Sequence, residues 1–347
     1  MSNFFFKPAS DYEYCISNET EPYWVTHTNS WVRVIEQSFS HIKGYILSDN
    51  SKITDNTSFL PVYRIKLPLN RVNWVSIPYS TVSDPILKDQ SLAAPLYRAL
   101  LDNTSATKCK IEIRTMAHSN LTEMERFQGY RGYISHQLYL DGDEDEIFRR
   151  FHKKSVQVLI KKSQCTGTVL KEGISLSDVA IFYDLYVRTR KELGLPPQPF
   201  RFFRNMWNEL HPKNYMDLLM AENNGKIVAA VWALKNNWFY SFEYIGRAEH
   251  RDDTNSAHFL YWNGIKKALA AKAKVVSFAR TSMKNNGLNR FKLNWGTVPV
   301  PYVDFTYPFD SIKSREDQHL YKLVKKIGPA LPLPFFRMLG EVIYRFI

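Results

Sequence analysis

The residues best suited to chemistry lie between Phe239 and Gly296. In FYSFEYIG, strand alternation places Phe239, Ser241, Glu243 and Ile245 on one face and Tyr240, Phe242 and Tyr244 on the other. A carboxyl group among aromatics loses hydration, which raises its pKa and suits Glu243 to general-base work. The competing reading is a half-exposed strand carboxylate that simply faces water. Tyr244, next in the chain, is a candidate substrate contact. RFKLNWG (Arg290–Gly296) is the least ordinary local sequence: Phe291 stands four residues before Trp295, and Lys292 twelve after Arg280. Cations and aromatics gathered where a strand ends suit phosphate binding or base stacking, Arg through a bidentate fork and Lys as a point charge. Core packing by Phe291 and Trp295, with Lys292 at the surface, is equally compatible with the spacing. Between the two stretches, the loop Arg247–Ser256 carries two arginines and two aspartates. It reads as a solvated loop before it reads as a phosphate cradle.

Several enzyme classes lack their signatures here. The nine histidines are scattered, and no His-x-x-x-His or Cys-x-x-Cys spacing occurs, so no metal site is expected. There is no Gly-x-Ser-x-Gly elbow, no Walker A loop and no dinucleotide fingerprint. The three cysteines (Cys15, Cys109, Cys165) stand far apart, which suggests a reducing compartment and offers no obvious nucleophile.

The elements that must position these residues can be read from periodicity. SWVRVIEQSF (Ser30–Phe39) and SLAAPLYRALLDN are amphipathic helices in the first half, and HIKGYILSD, FLPVYRIKLP, NWVSIPYST and KCKIEIRT are strands. ISHQLYLD alternates like a further strand. The acidic run from Asp141 to Glu146 then opens a basic helix, IFRRFHKKSVQVLIKKS, whose charge order matches the helix dipole. Its outward cations include Lys161, a candidate substrate contact. TGTVLKEG is a strand, and Ser177–Leu193 a helix capped by Ser177 or Asp178 and stopped at Gly194. RFFRNMWNELH is another helix. MDLLMAE, KIVAAVWALK and WFYSFEYIG form a meander whose Asn224-Gly225 is the strongest hairpin signal in the chain. Helix Ala257–Ala273, strand VVSFAR and a loop carrying TSMKNNGLN and RFKLNWG complete the unit. The tail Tyr321–Ile347 reads as short helical pieces split between Pro329 and Pro334.

At 347 residues the prior favours two domains. Both halves alternate strands and helices, so the expected class is α/β (α+β), two tandem domains with mixed, mostly antiparallel sheets flanked by helices. The boundaries are 1–135, 136–305 and a tail at 306–347. The net charge of +12 points to anionic partners or to a basic surface that keeps the chain soluble. The opening MSNFFFKPASDYEY does not read as a secretory signal, and no run of about 18 apolar residues occurs, so a cytoplasmic chain is expected.

Five stretches carry a family resemblance: QLYLDGDEDEIFRRFHKKSVQVLIKKSQCTG, IFYDLYVRTRKELGLPPQPFRFFRNMW, LLMAENNGKIVAAVWAL, SAHFLYWNGIKKALAAKA and FARTS followed by RFKLNWG. Together they resemble the FemAB-like branch of the GNAT acyltransferase superfamily. Its best-known members are aminoacyl-tRNA-dependent peptidyltransferases that extend peptidoglycan precursors. The likeness is continuous over Gln137–Tyr302 and fainter in the first half, where WVSIPYSTVSDPIL carries it. It implies tandem GNAT-like domains and metal-free acyl transfer to an amine. It places Phe291 and Lys292 at the substrate cleft, against an anionic substrate or the acyl donor. Arg280-Thr281-Ser282 stands where relatives carry Gly-Arg-Ser, so Arg280 and Ser282 become contact candidates, and Ala279 departs from the usual glycine. The glycine-rich pyrophosphate loop of coenzyme A enzymes is missing from HRDDTNSAHF, which disfavours acetyl-CoA. No sustained heptads mark a coiled-coil arm, which weakens the case for tRNA.

The expected function is acyl or aminoacyl transfer to an amine of a cell-envelope precursor, a peptidoglycan or polysaccharide intermediate. Lys292 and Glu243 are the catalytic candidates; Arg280, Ser282, Phe291, Trp295, Tyr244 and Lys161 are the binding candidates. The donor is aminoacyl-tRNA or acyl-CoA, with no tightly bound cofactor, and the acceptor a small or lipid-linked anionic precursor. DNA is not expected. The alternatives are an acyl-CoA N-acyltransferase and a non-catalytic protein that keeps the scaffold to bind glycan. The tail, with Lys322, Lys325, Lys326, Arg337 and Arg345 among Leu, Phe and Ile, either docks on the body or meets the inner face of a membrane.

Overall fold

The computed structural model describes residues 4–16, 23–104, 109–116, 127–248, 254–308 and 319–344. Residues 249–253 of the polar loop, and Arg345 of the tail, lie outside them. The chain forms two compact units, one chiefly Met1–Ile134 with Val300–Ile312, the other chiefly Ser135–Pro299 with Lys313–Arg345.

In the first unit the strands Phe5–Pro8, Ile42–Ser48, Phe59–Leu67, Arg71–Val75, Cys109–Met116 and Val298–Tyr307 lie side by side in that order. All of these pairings are antiparallel except Arg71–Val75 with Cys109–Met116. The helix Ala93–Thr104 links that parallel pair and buries Leu96, Tyr97 and Leu100 against Ile111, Ile113 and Phe305. The strand Val298–Tyr307 was not anticipated as a partner here. It pairs Tyr302 with Met116 across a long sequence separation that local periodicity does not report.

The second unit repeats this logic. Met216–Asn223, Lys226–Lys235 and Phe239–Arg247 form the expected meander, turned at Asn224 and Gly225, both with positive φ as a tight hairpin requires. Val169–Glu172 adds an edge strand, and Val275–Ser282 pairs with Phe239–Arg247 in parallel. The helix Ser256–Ala270 makes the crossover between those last two strands. Its Phe259, Leu260, Trp262 and Ile265 meet Val231, Ala233, Tyr240 and Phe242 on one face of the sheet. The helices Leu176–Glu192 and Phe200–Leu210 cover the other face, where Phe182 and Phe203 pack on Trp232. Gly246 makes that approach possible: a Cβ there would meet the backbone of Tyr186 and Leu185.

Four local readings need correction. The basic helix is not continuous: Glu144–Arg150 ends, Phe151 and His152 are extended, and the backbone restarts as one wide turn and the helix Val158–Cys165. The break lets Phe151 bury its ring 5.2 Å from Trp295 and lets the His152 N–H donate to the Asn294 carbonyl. His152 then caps the restart, its ring nitrogen accepting from the Ser155 N–H. The helix after TGTVLKEG starts at Leu176 with Ser175 as its cap, and Asp178 completes a capping box rather than capping alone. RFKLNWG lies largely in a helix, Asn286–Leu293, started by the Asn285 side chain accepting from the Leu288 N–H. Finally, alternation in FYSFEYIG is interrupted by a register shift opposite Trp232 and Ala233.

Candidate active site

The parallel pairing of Phe239–Arg247 with Val275–Ser282 stops early. Phe239, Tyr240 and Ser241 face Val275, Val276 and Ser277, and beyond that point both strands continue unpaired with one another. Phe239–Arg247 carries a bulge just past the opening. Ala233 pairs with Phe242 and Trp232 with Tyr244, so Glu243 is the inserted residue. The bulge flips the rest of the strand. Ile245 joins Tyr240 and Phe242 on the crossover-helix face, while Tyr244 points the other way, its ring 5.2 Å from Phe203 and 5.9 Å from Tyr186. The expected grouping of Tyr244 with Tyr240 and Phe242 is therefore wrong, and Glu243 is re-aimed as bulged residues commonly are.

Glu243 is partly buried, and the Ser241 hydroxyl donates to its Oε1 at 2.6 Å. Burial pushes its carboxyl up to about 7, while the Ser241 bond and the charge of Lys292 pull the other way. Lys292, on the helix Asn286–Leu293, is only 7% exposed. Its ammonium donates to the carbonyls of Phe278 and Ala279, the latter at 3.3 Å. Both carbonyls lie just past the point where the parallel pairing ends. Burial pushes the Lys292 amine down to about 7, and Glu243 opposes that shift. The two groups feel each other's charge without forming a direct ion pair. An acid and a base that both titrate near neutrality and feel each other's charge form a unit able to exchange protons with a substrate.

Ala279 adopts φ +53°, the left-handed region that a side chain disfavours by about 1–2 kcal/mol. This turn of the strand directs the Phe278 and Ala279 carbonyls toward Lys292. A further residue escaped sequence reasoning. His136 is buried, its Nε2 3.0 Å from Asn289 Oδ1 and its Nδ1 3.3 Å from Thr297 Oγ1. Thr297 in turn donates to the Lys292 carbonyl at 2.9 Å, and the Asn289 amide donates to the Ser282 carbonyl at 3.0 Å. His136 thus ties both ends of the Lys292 helix to its surroundings. Burial, and the nearby charge of Lys292, hold its imidazole below the usual histidine range. A lone His in an alternating strand gives no sequence signal for such a role.

The other named residues are spread more widely. Trp295 is fully buried, stacked 5.7 Å from His258 and packed on Phe278 and Tyr261. Phe291 is half-buried with its edge toward His258, one turn from Trp295. Ser282 accepts the Lys284 N–H and so begins the turn into the Lys292 helix, and Arg280 is half-buried on the same strand. Lys161 is exposed, 6.0 Å from the Phe148 ring. With Val158, Lys162, Cys165, Thr166 and Asn255 it lines a shallow groove of about 440 Å³ that shares no residue with the Lys292 cluster. Among the described residues no three His, Cys, Asp or Glu side chains converge as a metal-ligand set.

Residues 159–293 match the family described as acetyltransferase (GNAT) domain. That span contains Glu243, Ala279 and Lys292. No curated protein matches the sequence. Among solved structures the chain is similar to FemX at 13% identity and a TM-score of 0.69, over 89% of this chain and 96% of that one. It is also similar to a conserved protein of unknown function from Bacteroides thetaiotaomicron VPI-5482, at 13% identity and 0.52, over 80% and 89%. L-PGS from Bacillus licheniformis follows at 10% and 0.51, over 77% and 85%. At such identities the likeness is one of fold. Residues 159–293 thus carry an acetyltransferase (GNAT) domain, and the chain shares its fold with FemX.

Proposed function

We propose that the chain transfers an acyl or aminoacyl group to an amine of a cell-envelope precursor, using Glu243 and Lys292 at the open end of the parallel strand pair. The observation that carries this reading is a carboxyl on the bulge of one strand and an amine held by carbonyls of its parallel neighbour, each within reach of the other's charge. An attacking amine must lose a proton; Glu243 takes it and returns it to the donor's leaving oxygen or sulfur as the tetrahedral intermediate collapses and the old acyl bond breaks. The acyl carbonyl oxygen gains charge as the tetrahedral intermediate forms. An ammonium has three donors, and Lys292 commits two of them to Phe278 and Ala279, leaving one for that oxyanion. Held by those carbonyls, the ammonium needs little reorganisation as charge develops.

The envelope assignment rests on the sequence resemblance and on the fold shared with FemX and L-PGS. Aminoacyl-tRNA is the favoured donor. Helix Ser256–Ala270 is led by Asn255, which has a left-handed backbone and no capping side-chain bond, and no glycine precedes it from His250 onward to cradle a pyrophosphate. Lys161 and Lys162, in the groove that Asn255 helps to line, are the cations placed to meet donor phosphates. The chain should be mixed with charged tRNA or acetyl-CoA and a panel of amine-bearing envelope precursors, with acylated products read by mass spectrometry. Transfer from charged tRNA that collapses in Lys292→Ala supports the reading. Full activity in that variant removes the site assignment, and transfer from acetyl-CoA alone replaces the donor.

A further inference from the structure

Two helices end the described chain, His319–Ile327 and Leu333–Ile343, joined through the turn Gly328–Ala330. They are docked on the second unit. Phe336, Gly340 and Ile343 are buried, and Gly340 sits so close to the Pro197 carbonyl that a Cβ would collide with it. Gly328 rests on the Phe336 ring, Arg337 pairs with Asp184 and Glu341 with Arg201.

This docking uses only one face. Phe335, Met338 and Val342, spaced as one stripe on the opposite face of the last helix, are 58%, 59% and 48% exposed. Leu323 and Ile327, one turn apart on the preceding helix, are 54% and 40% exposed. A helix that is apolar on both sides has a second partner to find. The surrounding charges indicate what kind. Between Leu323 and Tyr344 the charged residues are Lys325, Lys326, Arg337 and Glu341. The last two are consumed in ion pairs, and both lysines are exposed, with no ion pair among the described residues. Lysine is depleted at the cores of protein interfaces, whereas exposed apolar side chains on two successive helices, with two exposed lysines between Leu323 and Ile327, fit the boundary between acyl chains and anionic headgroups.

We propose that this face docks reversibly on an anionic lipid bilayer, Phe335, Met338 and Val342 entering the headgroup boundary and Lys325 and Lys326 meeting lipid phosphates. One short stripe gives weak affinity by itself, so the lysines are needed, and binding should fall with salt. The test is flotation of the full chain with vesicles of phosphatidylcholine alone, and with vesicles containing roughly one-quarter phosphatidylglycerol. The chain should float with the second kind only. The double variant Lys325→Glu, Lys326→Glu should lose about tenfold or more in affinity, as should the triple variant Phe335→Ser, Met338→Ser, Val342→Ser. All five positions are exposed, so an unchanged Tm confirms intact folding. Absence of wild-type flotation with the anionic vesicles, or equal flotation of the variants, overturns the proposal. So does a wild-type dimer that the triple variant breaks without any vesicle affinity, which makes the face a contact between copies.

Discussion

In each unit a parallel strand pair joined through a helix stops short, and the two openings are finished differently. In the first unit Arg71–Val75 pairs with Cys109–Met116 only as far as Val75 and Glu112. Past that point the loop from Ser76 to Asp84 takes over the strand edge. The Ser76 N–H donates to the Glu112 carbonyl, Ser83 N–H to the Arg114 carbonyl, and the Met116 N–H to Asp84 Oδ1 at 2.8 Å. In the second unit a side chain, Lys292, bonds the Phe278 and Ala279 carbonyls, and Glu243 is the bulged residue of the neighbouring strand. Both openings hold a carboxyl pushed up to about 7 by burial, Asp84 in one and Glu243 in the other. A raised carboxyl is therefore not what distinguishes a reactive site. The difference is a second titrating group of opposite charge, Lys292, which shares its field with the carboxyl of the second unit.

The largest expected effect tests that contrast directly. Lys292→Ala should lower acyl transfer by about 10²–10⁴-fold, the range typical of removing an oxyanion donor or acid–base group. Asp84→Asn should leave turnover within about threefold of wild type, because it keeps the side-chain oxygen that accepts from Met116. Steady-state kinetics on both variants decides the matter, and a comparable loss in each would erase the distinction.

Stability against pH sharpens it further. Glu243 binds its proton more tightly folded, near 7, than unfolded, near 4.5. The folded state therefore holds more protons between those values, and stability falls as pH rises through that window. Glu243→Gln should shrink this dependence to the part Asp84 contributes and gain on the order of 1–3 kcal/mol relative to wild type at pH 8, read by urea denaturation at pH 4.5 and 8. A parallel loss in both proteins would mean that Glu243 is solvated after all. His136→Ala should cost about 1–3 kcal/mol by leaving Asn289 and Thr297 unpaired. It should lower kcat more than it raises KM, with His136→Gln recovering part of the loss. If only stability moves, His136 supports the fold and does not position Lys292. The smallest effect belongs to Ala279→Gly, which relieves a left-handed backbone and should raise stability by no more than about 1 kcal/mol.

Much of the scaffold was legible from local pattern. The meander, its Asn224-Gly225 turn and the crossover helix follow from period and turn chemistry, and Glu243, Lys292 and Arg280 were identifiable as charges where a strand ends. What escaped depends on long-range packing. The bulge at Glu243 leaves no mark in FYSFEYIG, because each residue there suits a regular strand. The break at Phe151 interrupts an otherwise good helical period, and its cause is Trp295, distant in sequence. Spacing alone left Lys292 at the surface or in a loop, since nothing local says that the Phe278 and Ala279 carbonyls need a donor. His136 was invisible for the same reason: its partners Asn289 and Thr297 are brought to it only by the fold.

The pH dependence of kcat/KM for acyl transfer, compared between wild type and Glu243→Gln, tests the Glu243–Lys292 pair most directly. The wild type should give a bell with both limbs near pH 7, the acidic limb from Glu243 and the basic limb from Lys292. Glu243→Gln should be slower by about 10²-fold and should lack the acidic limb. A wild-type profile flat from pH 6 to 8, or an acidic limb that survives the substitution, contradicts a catalytic pair at this strand end.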